Sequence, residues 1–201
     1  MTIEPRELEG KVVRLVPLSV EDAEEMLRAA SSPETFRYFT RPPSPWTVEG
    51  MEDYCRYLIE SPFILPFAVR LRKTGEFVGS SVYCDLRPEH LNVEIGWTWY
   101  DPIHRGTTVN PESKYLMLEH AFGGGLFGRP AIRVCLKTDL RNEQSQRAIE
   151  RIGAIRDGVL RHQALMPDGH KRDTVYFSIL DDEWPPVRER LRRRIGYADS
   201  K

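Results

Sequence analysis

The order of strand-like and helix-like segments constrains the fold of this 201-residue chain more than any other feature. Glycine and proline divide the chain into short segments with period-2 or period-3.6 patterns. These patterns predict a strand, two helices, three strands, a helix, a strand, a helix and two strands. A Rossmann domain or a TIM barrel would alternate strands and helices strictly. The order therefore predicts an α+β (mixed α/β) fold in a single domain over residues 1–201.

Composition and charge narrow the classes of protein that fit. Hydrophobic residues make up 40% of the chain, and 29 Lys and Arg balance 30 Asp and Glu. This balance gives no general attraction to nucleic acid, so we expect no nucleic-acid partner. The longest apolar stretch, residues 63–69, is too short to cross a bilayer, and the charged start is unlike a signal peptide. Three scattered cysteines and the absence of metal-ligand spacing predict a cytoplasmic protein without a metal site.

The stretch from Asn92 to Tyr100 predicts a strand with one unusual face. Strict alternation places Val93, Ile95, Trp97 and Trp99 on one face, and Asn92, Glu94, Gly96, Thr98 and Tyr100 on the other. A carboxylate beside a glycine on a strand face is typical of a polar cleft. A surface strand with a solvated Glu94 is the simpler alternative.

A turn and a helix follow this strand. The turn consists of Arg105, Gly106, Thr107, Thr108, Val109 and Asn110. Asn110 is a favourable N-cap and Pro111 a favourable first helical residue. Free amides, the helix dipole and the charge of Arg105 together predict an anion site that suits a pyrophosphate. A single glycine in such a turn also has a purely geometric explanation.

A second strand-to-helix segment spans residues 132–153. Asn142 is predicted to cap a helix that ends at Gly153. Ser145, Ile149 and Ile152 share one stripe of this helix. The Ser145 hydroxyl therefore either faces a cleft or supports the helix cap.

Taken together, the two segments resemble the GNAT superfamily of N-acyltransferases that use acetyl-coenzyme A (acetyl-CoA). The branch that matches best contains the RimJ/RimL-like N-terminal acetyltransferases of ribosomal proteins. The matching residues are Glu94–Trp97, Arg105, Asn142, Ser145 and Gly153. Thr108 and Asn110 depart from the small residues of the family's pyrophosphate loop. Ile149 stands where many members carry a tyrosine that acts as a general acid.

The resemblance implies a mostly antiparallel central sheet, flanked by helices and splayed open between the strands that start near residues 92 and 131. It implies that backbone amides near Trp97, Thr98 and Trp99 hold the pantetheine arm of acetyl-CoA, and that the turn at residues 105–110 and Asn142 bind the rest. Glu94 is the candidate general base. Ser145 is the second candidate catalytic residue, as a proton donor or as a coenzyme contact. Aromatic and proline-rich residues 36–46 are expected to wall the acceptor site.

The function that these features imply is acetyl transfer from acetyl-CoA to a primary amine, on a small molecule or at a protein N-terminus. Whether the protein forms a homodimer stays open at this point. One alternative is a non-catalytic acyl-CoA-binding module. Another is a nucleic-acid factor acting through the basic C-terminal helix and tail, residues 187–201. Val187, Leu191 and Ile195 recur at i, i+4 and i+8, which favours a helix docked on the core. A hydrolase is disfavoured because no Gly-x-Ser-x-Gly motif occurs.

Overall fold

The computed structural model describes residues 3–197, and the predicted tail at 198–201 lies outside them. The strands are Leu8–Glu9 (β1), Val13–Pro17 (β2), Ile64–Leu71 (β3), Phe77–Arg87 (β4), Asn92–Tyr100 (β5), Arg133–Asp139 (β6), Ile155–Leu165 (β7) and Lys171–Leu180 (β8). The α-helices are Ala23–Ala30 (α1), Val48–Glu60 (α2), Val109–Phe122 (α3), Glu143–Ile152 (α4) and Trp184–Arg194 (α5). The mixed α/β class predicted from the sequence is confirmed.

Within the described residues, the eight strands form one sheet in the order β1-β2-β3-β4-β5-β6-β8-β7. Neighbouring strands are antiparallel except β5 and β6, which run parallel. These two strands pair only at Asn92–Arg133, Val93–Val134 and Glu94–Cys135. Beyond Glu94 they part, although β5 continues to Tyr100 and β6 to Asp139. The sheet is therefore splayed open between β5 and β6, as the family resemblance implied.

Local capping explains where several helices begin and end. The Thr47 side chain accepts a hydrogen bond from the Gly50 amide at the start of α2. Asn142 caps α4 by accepting from the Ser145 amide, and Gly153 ends α4 in a left-handed conformation with φ of +116°. Both predictions for α4 are confirmed.

The start of α3 differs from the prediction. The helix begins at Val109, so Thr108 rather than Asn110 occupies the cap position, and Pro111 lies inside the first turn. The Thr107 hydroxyl accepts a hydrogen bond from the Val109 amide at 3.3 Å. This contact extends the helix by two residues beyond the start that the Asn-Pro pair suggested.

The sheet separates two hydrophobic cores. On one face, β5, β6 and β8 contribute Val93, Val134 and Phe177 to a core shared with α3, α4 and α5. On the other face, α1 and α2 pack on β3, β4 and β5 through residues such as Met26, Met51, Phe77 and Trp99. The opening between β5 and β6 therefore lies between two helical layers.

Helix α5 closes the first core. Leu191 is fully buried, and Val187 and Ile195 are nearly so, as their spacing predicted. Arg188 donates two hydrogen bonds of 2.7 Å to the carboxylate of Glu119 on α3. This geometry is that of a docked helix.

A buried carboxylate fixes α3 to the start of β2. Glu112 has no exposed surface and accepts hydrogen bonds from the amides of Lys11, Val12 and Val13 at 2.7–2.9 Å. A Cβ atom at Gly10 would lie 2.7 Å from Cδ of Glu112, so only glycine fits there. The helix that follows the predicted anion turn is thus anchored to the backbone at the start of β2.

Candidate active site

The gap between β5 and β6 opens into a cavity of about 680 Å³. Its walls come from β5, β6, the start of α3, one side of α4 as far as Ile152, the segment 34–41, and the β7–β8 hairpin. Nine of the sequence-predicted site residues line it: Glu94, Trp97, Thr98, Trp99, Arg105, Gly106, Asn110, Asn142 and Ser145. Thr107, Thr108 and Val109 are not part of its lining, and the Val109 side chain belongs to the core.

A β-bulge reorients the middle of β5. Gly96 pairs with Val82 and Trp99 pairs with Ser80, so Trp97 and Thr98 both lie opposite one residue of β4. Trp97 has φ of +46°. As a result Val93 and Ile95 face the α3 core, whereas Trp97 and Trp99 pack against the α1–α2 core.

The predicted face assignment of β5 was therefore wrong beyond Gly96. Strict alternation placed Glu94 and Thr98 on the same face, but the additional residue of the bulge turns Thr98 towards α3. Glu94 lies on the opposite face from Val93 and Ile95, together with Lys137 of β6 and Arg172 of β8, and this surface is called the Glu94 face below.

Glu94 is buried and has two unlike oxygens. Its Oε2 lies 2.8 Å from Nζ of Lys137, whereas its Oε1 is buried without a hydrogen-bond partner among the described residues. Burial opposes protonation of Lys137, but the charge and hydrogen bond of Glu94 outweigh it and raise the pKa of Lys137. A Cβ atom at Gly96 would lie 2.6 Å from Oε1. The glycine two residues after Glu94 thus provides the space in which this oxygen sits.

Lys114 on α3 is a buried amine beneath the bulge. Its Nζ contacts the hydroxyls of Ser81 (2.9 Å) and Thr98, which also lie 2.8 Å from each other. No carboxylate within the described residues forms an ion pair with this amine. Burial lowers the pKa of Lys114 to about 7. The cluster holds the bulge in place from the α3 side, and Lys114 also lines the cavity.

The turn before α3 has the geometry of an anion site. Gly106 has φ of +77°, a conformation that favours glycine. Among residues 3–197, the amides of Gly106, Thr107 and Thr108 donate to no acceptor, and they precede a helix N-terminus. The Val109 amide is engaged by Thr107, which corrects its predicted role as a free donor.

Arg105 tethers this turn to residues of the opposite layer. Its Nε donates to the Tyr100 carbonyl and its NH2 group to the Thr35 hydroxyl, each at 3.1 Å. Thr35 belongs to the segment 34–41 that walls the cavity. The predicted wall at residues 36–46 is thus found in part, over Arg37–Arg41 and its neighbours.

The start of α4 forms the facing wall. The Asn142 side chain caps α4 by accepting a hydrogen bond from the Ser145 amide. Ser145 is half-buried and also lines the cavity. The two interpretations of Ser145 are therefore compatible. Ile149 is buried and lines the cavity at the position where many family members carry a tyrosine.

Three cavity-lining cations were not predicted from the sequence: Lys114, Lys137 and Arg172. Lys114 and Arg172 are buried, and each lies in a segment otherwise rich in apolar or β-branched residues. A charged residue within such a segment is the signal that could have found them. Their partners lie on other elements, so the local sequence does not predict these contacts.

Among the described residues, no group of three or more His, Cys, Asp or Glu side chains could hold a metal ion. No helix within residues 3–197 is long and apolar enough to cross a membrane.

The family follows from comparison with known proteins. The chain matches the acetyltransferase (GNAT) domain family over residues 13–155, and it belongs to this family. It is therefore an acetyltransferase by family, and GNAT acetyltransferases use acetyl-CoA. No curated protein matches the chain.

Solved structures support the same assignment. An acetyltransferase structure from T. thermophilus is 39% identical, covers 96% of this chain and 99% of its own, and has a TM-score of 0.87. A GCN5-related N-acetyltransferase from Brucella melitensis is 26% identical over 97% of this chain and 89% of its own, with a TM-score of 0.86. Mycobacterium smegmatis RimJ, solved with CoA-disulfide, is 22% identical over 94% of this chain and 91% of its own, with a TM-score of 0.77. This last similarity shows a shared fold.

Proposed function

We propose that this protein transfers the acetyl group of acetyl-CoA to a primary amine, on a small molecule or at a protein N-terminus. The observation that carries the proposal is the parting of β5 and β6 immediately after Glu94. It opens a cavity that reaches from Gly106, in the turn before α3, to a buried carboxylate.

The residues present suit the coenzyme. The free amides of Gly106, Thr107 and Thr108 at the helix N-terminus would hold the pyrophosphate. The β5 backbone at Trp97–Trp99 has no strand on its β6 side, so its polar groups are available to the pantetheine arm. One such amide aimed at the thioester oxygen would lower the barrier by about 3 kcal/mol. Ser145 and Asn142 line the other side of the same space.

In the reaction, the amine nitrogen attacks the thioester carbonyl, a C–N bond forms and the C–S bond breaks. The amine must lose a proton, and Glu94 is proposed to accept it on Oε1, directly or through water. Lys137 would hold the other oxygen of Glu94. General-base assistance of this kind typically contributes about 10²–10⁴-fold. The leaving group is the thiolate of a thiol with an ordinary pKa near 8.5. A proton donor therefore helps its departure, but a strong donor is not required.

A second candidate function is a non-catalytic acyl-CoA-binding module. Ile149 favours it, because this apolar side chain replaces a family tyrosine on the cavity wall. Such a module would bind the coenzyme without releasing its thiol.

One experiment separates the two functions. We expect acetyl-CoA to raise the melting temperature, because it binds only the folded chain, and adenosine to raise it much less. A panel of primary amines is then incubated with protein and acetyl-CoA, and free thiol is measured. Amine-dependent thiol release supports the acetyltransferase. Stabilisation by acetyl-CoA without thiol release from any amine supports the binding module.

A further inference from the structure

Arg172 is a buried cation on the Glu94 face that none of the steps above uses. It lies at the start of β8, is 8% exposed and lines the cavity. Its one hydrogen bond among the described residues runs from NH1 to the Tyr38 carbonyl at 3.1 Å. Its Nε is buried without an acceptor. A buried guanidinium with free donors is costly unless an anion satisfies it.

The carboxylates near Arg172 are already paired. Glu94 is bound to Lys137, and Asp139 accepts two side-chain hydrogen bonds from Arg141. Both carboxylates are close enough for their charges to act on Arg172, yet neither forms an ion pair with it within residues 3–197. Burial lowers the pKa of Arg172, and those two charges oppose the shift. An arginine stays charged under these conditions, so the cavity keeps an unmatched positive charge.

We propose that Arg172 binds a carboxylate of the acceptor, so that the acceptor is an amine that also carries an acid group. This inference rests on the proposed function and names the substrate class of the same site. Arg172 shares the Glu94 face, so one molecule can present its amine to Glu94 and its carboxylate to Arg172. The planar guanidinium suits two parallel hydrogen bonds to a carboxylate. The acid can belong to a free amino acid or to an acidic side chain near a peptide N-terminus.

The test uses pairs of acceptors in which a carboxamide replaces the carboxylate, and kcat/KM is expressed per unprotonated amine because the amide also lowers the basicity of the amine. Thiol release is measured for glycine, β-alanine and γ-aminobutyrate against their carboxamides, and for peptides beginning with Asp or Glu against Asn or Gln. We expect kcat/KM to be higher for the acid in at least one pair by about tenfold to a hundredfold. The chain length of the best acid reports the distance between the two subsites, and the two arms distinguish free amino acids from peptides.

Two variants assign the preference to Arg172. R172Q should lose the preference for the acid while its KM for acetyl-CoA stays unchanged. K171Q removes a positive charge from the next residue of the same strand, which is exposed, and should keep the preference. If R172Q fails to fold, R172K replaces it, because it keeps the charge and should keep a reduced preference. Stabilisation by acetyl-CoA verifies the fold of each variant.

Three results overturn the inference. If acids and carboxamides are used equally well, the cavity has no site for a carboxylate of the acceptor. An equal loss for both in R172Q shows that Arg172 only holds residues 34–41 through Tyr38. A raised KM for acetyl-CoA in R172Q shows that the guanidinium serves the coenzyme phosphates. Thiol release from none of the amines contradicts the proposed function itself, and with it this inference.

Discussion

At the scale of single residues, the unequal surroundings of the two Glu94 oxygens decide how this side chain can act. Lys137 occupies Oε2, and Gly96 leaves room for Oε1 to remain unbound. A carboxylate held in this way is oriented by its ion pair and keeps one oxygen for a proton from the acceptor. If Glu94 is the base, as proposed above, Lys137 is a positioning residue for it.

Replacing Glu94 by Gln should lower kcat/KM by about tenfold to a thousandfold near neutral pH. The amide keeps the shape of the side chain and a contact to Lys137 but loses the basicity. The loss should shrink at higher pH, because more of the amine is then already deprotonated. The measurement is kcat/KM against pH by thiol release.

The matched control is E89Q, which changes an exposed glutamate in the loop before β5. It should behave like wild type. Wild-type activity of E94Q over the whole pH range would contradict the role of Glu94 as a base. Retained stabilisation by acetyl-CoA in E94Q would show that the fold and the coenzyme site are intact.

Cavity-lining residues that stand in local motifs could be selected from the sequence, whereas those placed by long-range pairing could not. Glu94, Asn142 and Ser145 stand in short motifs whose strand and cap geometry is local. Lys137 lies 43 residues from Glu94, and only the parallel register of β5 and β6 brings the two together. The single sequence contains no information about that register.

At the scale of elements, the β5 bulge shows where period-2 reasoning ends. Alternation describes a strand only while each residue pairs in turn, and one additional residue exchanges the two faces from that point on. The strand bounds at Asn92 and Tyr100 were predicted correctly, whereas the orientation of Thr98 was not. The start of α3 was also predicted two residues too late, because Thr108 rather than Asn110 occupies its cap position.

Replacing Gly106 by Val should weaken acetyl-CoA binding by about fivefold to a hundredfold. No other atom lies within 4 Å of a Cβ built at Gly106, so crowding is not the cause. The cause is the positive φ of +77°, which costs a β-branched residue about 1–3 kcal/mol and would shift the turn away from its anion-binding form. The dissociation constant of acetyl-CoA is measured by calorimetry.

Asparagine provides the control at this position, because it tolerates the left-handed region. G106N should bind acetyl-CoA nearly as well as wild type. Equal and large losses in both variants would mean that the turn requires close approach of the ligand to the backbone. An unchanged affinity of G106V for acetyl-CoA would show that the turn is not part of the coenzyme site.

At the scale of the whole molecule, the order of elements and the two family motifs were sufficient to predict the sheet and its opening. They did not reveal how the layers are locked together. Glu112 and Arg188 join α3 to β2 and to α5 across separations of 99 to 101 and 69 residues. Contacts of this kind depend on the assembled fold, so they cannot be predicted from the local sequence.

The buried Lys114 should make global stability depend on pH. Its pKa is about 7 in the folded chain and near its ordinary 10.5 in the unfolded chain. Between these values the unfolded state binds one more proton, so stability rises with pH, by up to about 1.4 kcal/mol per pH unit. This gain in stability is complete above pH 10.5 and is lost as the pH falls to about 7.

The measurement compares wild type with K114M by denaturant unfolding at pH 7, 8 and 9. Wild type should gain stability relative to K114M over this range. K73M, in the exposed β3–β4 turn, should follow wild type. Parallel stability curves for wild type and K114M would contradict a depressed pKa for Lys114.

The three-residue pairing of β5 with β6 also has a consequence for how the chain folds. On either side of this junction, β2 to β5 and β6 to β8 are built from antiparallel neighbours, and the hairpins β3–β4, β4–β5 and β7–β8 close short loops. The junction itself joins residues 41 positions apart, through Asn92 and Arg133. Contacts of such sequence separation are slow to form because the loop between them must close first. The pairings β2–β3 and β6–β8 join residues 35 to 58 positions apart, so we expect them to form late as well, after the hairpins β3–β4, β4–β5 and β7–β8. The cavity proposed to hold acetyl-CoA exists only once β5 and β6 have paired, so recovery of acetyl-CoA binding during refolding would mark the completion of the native sheet.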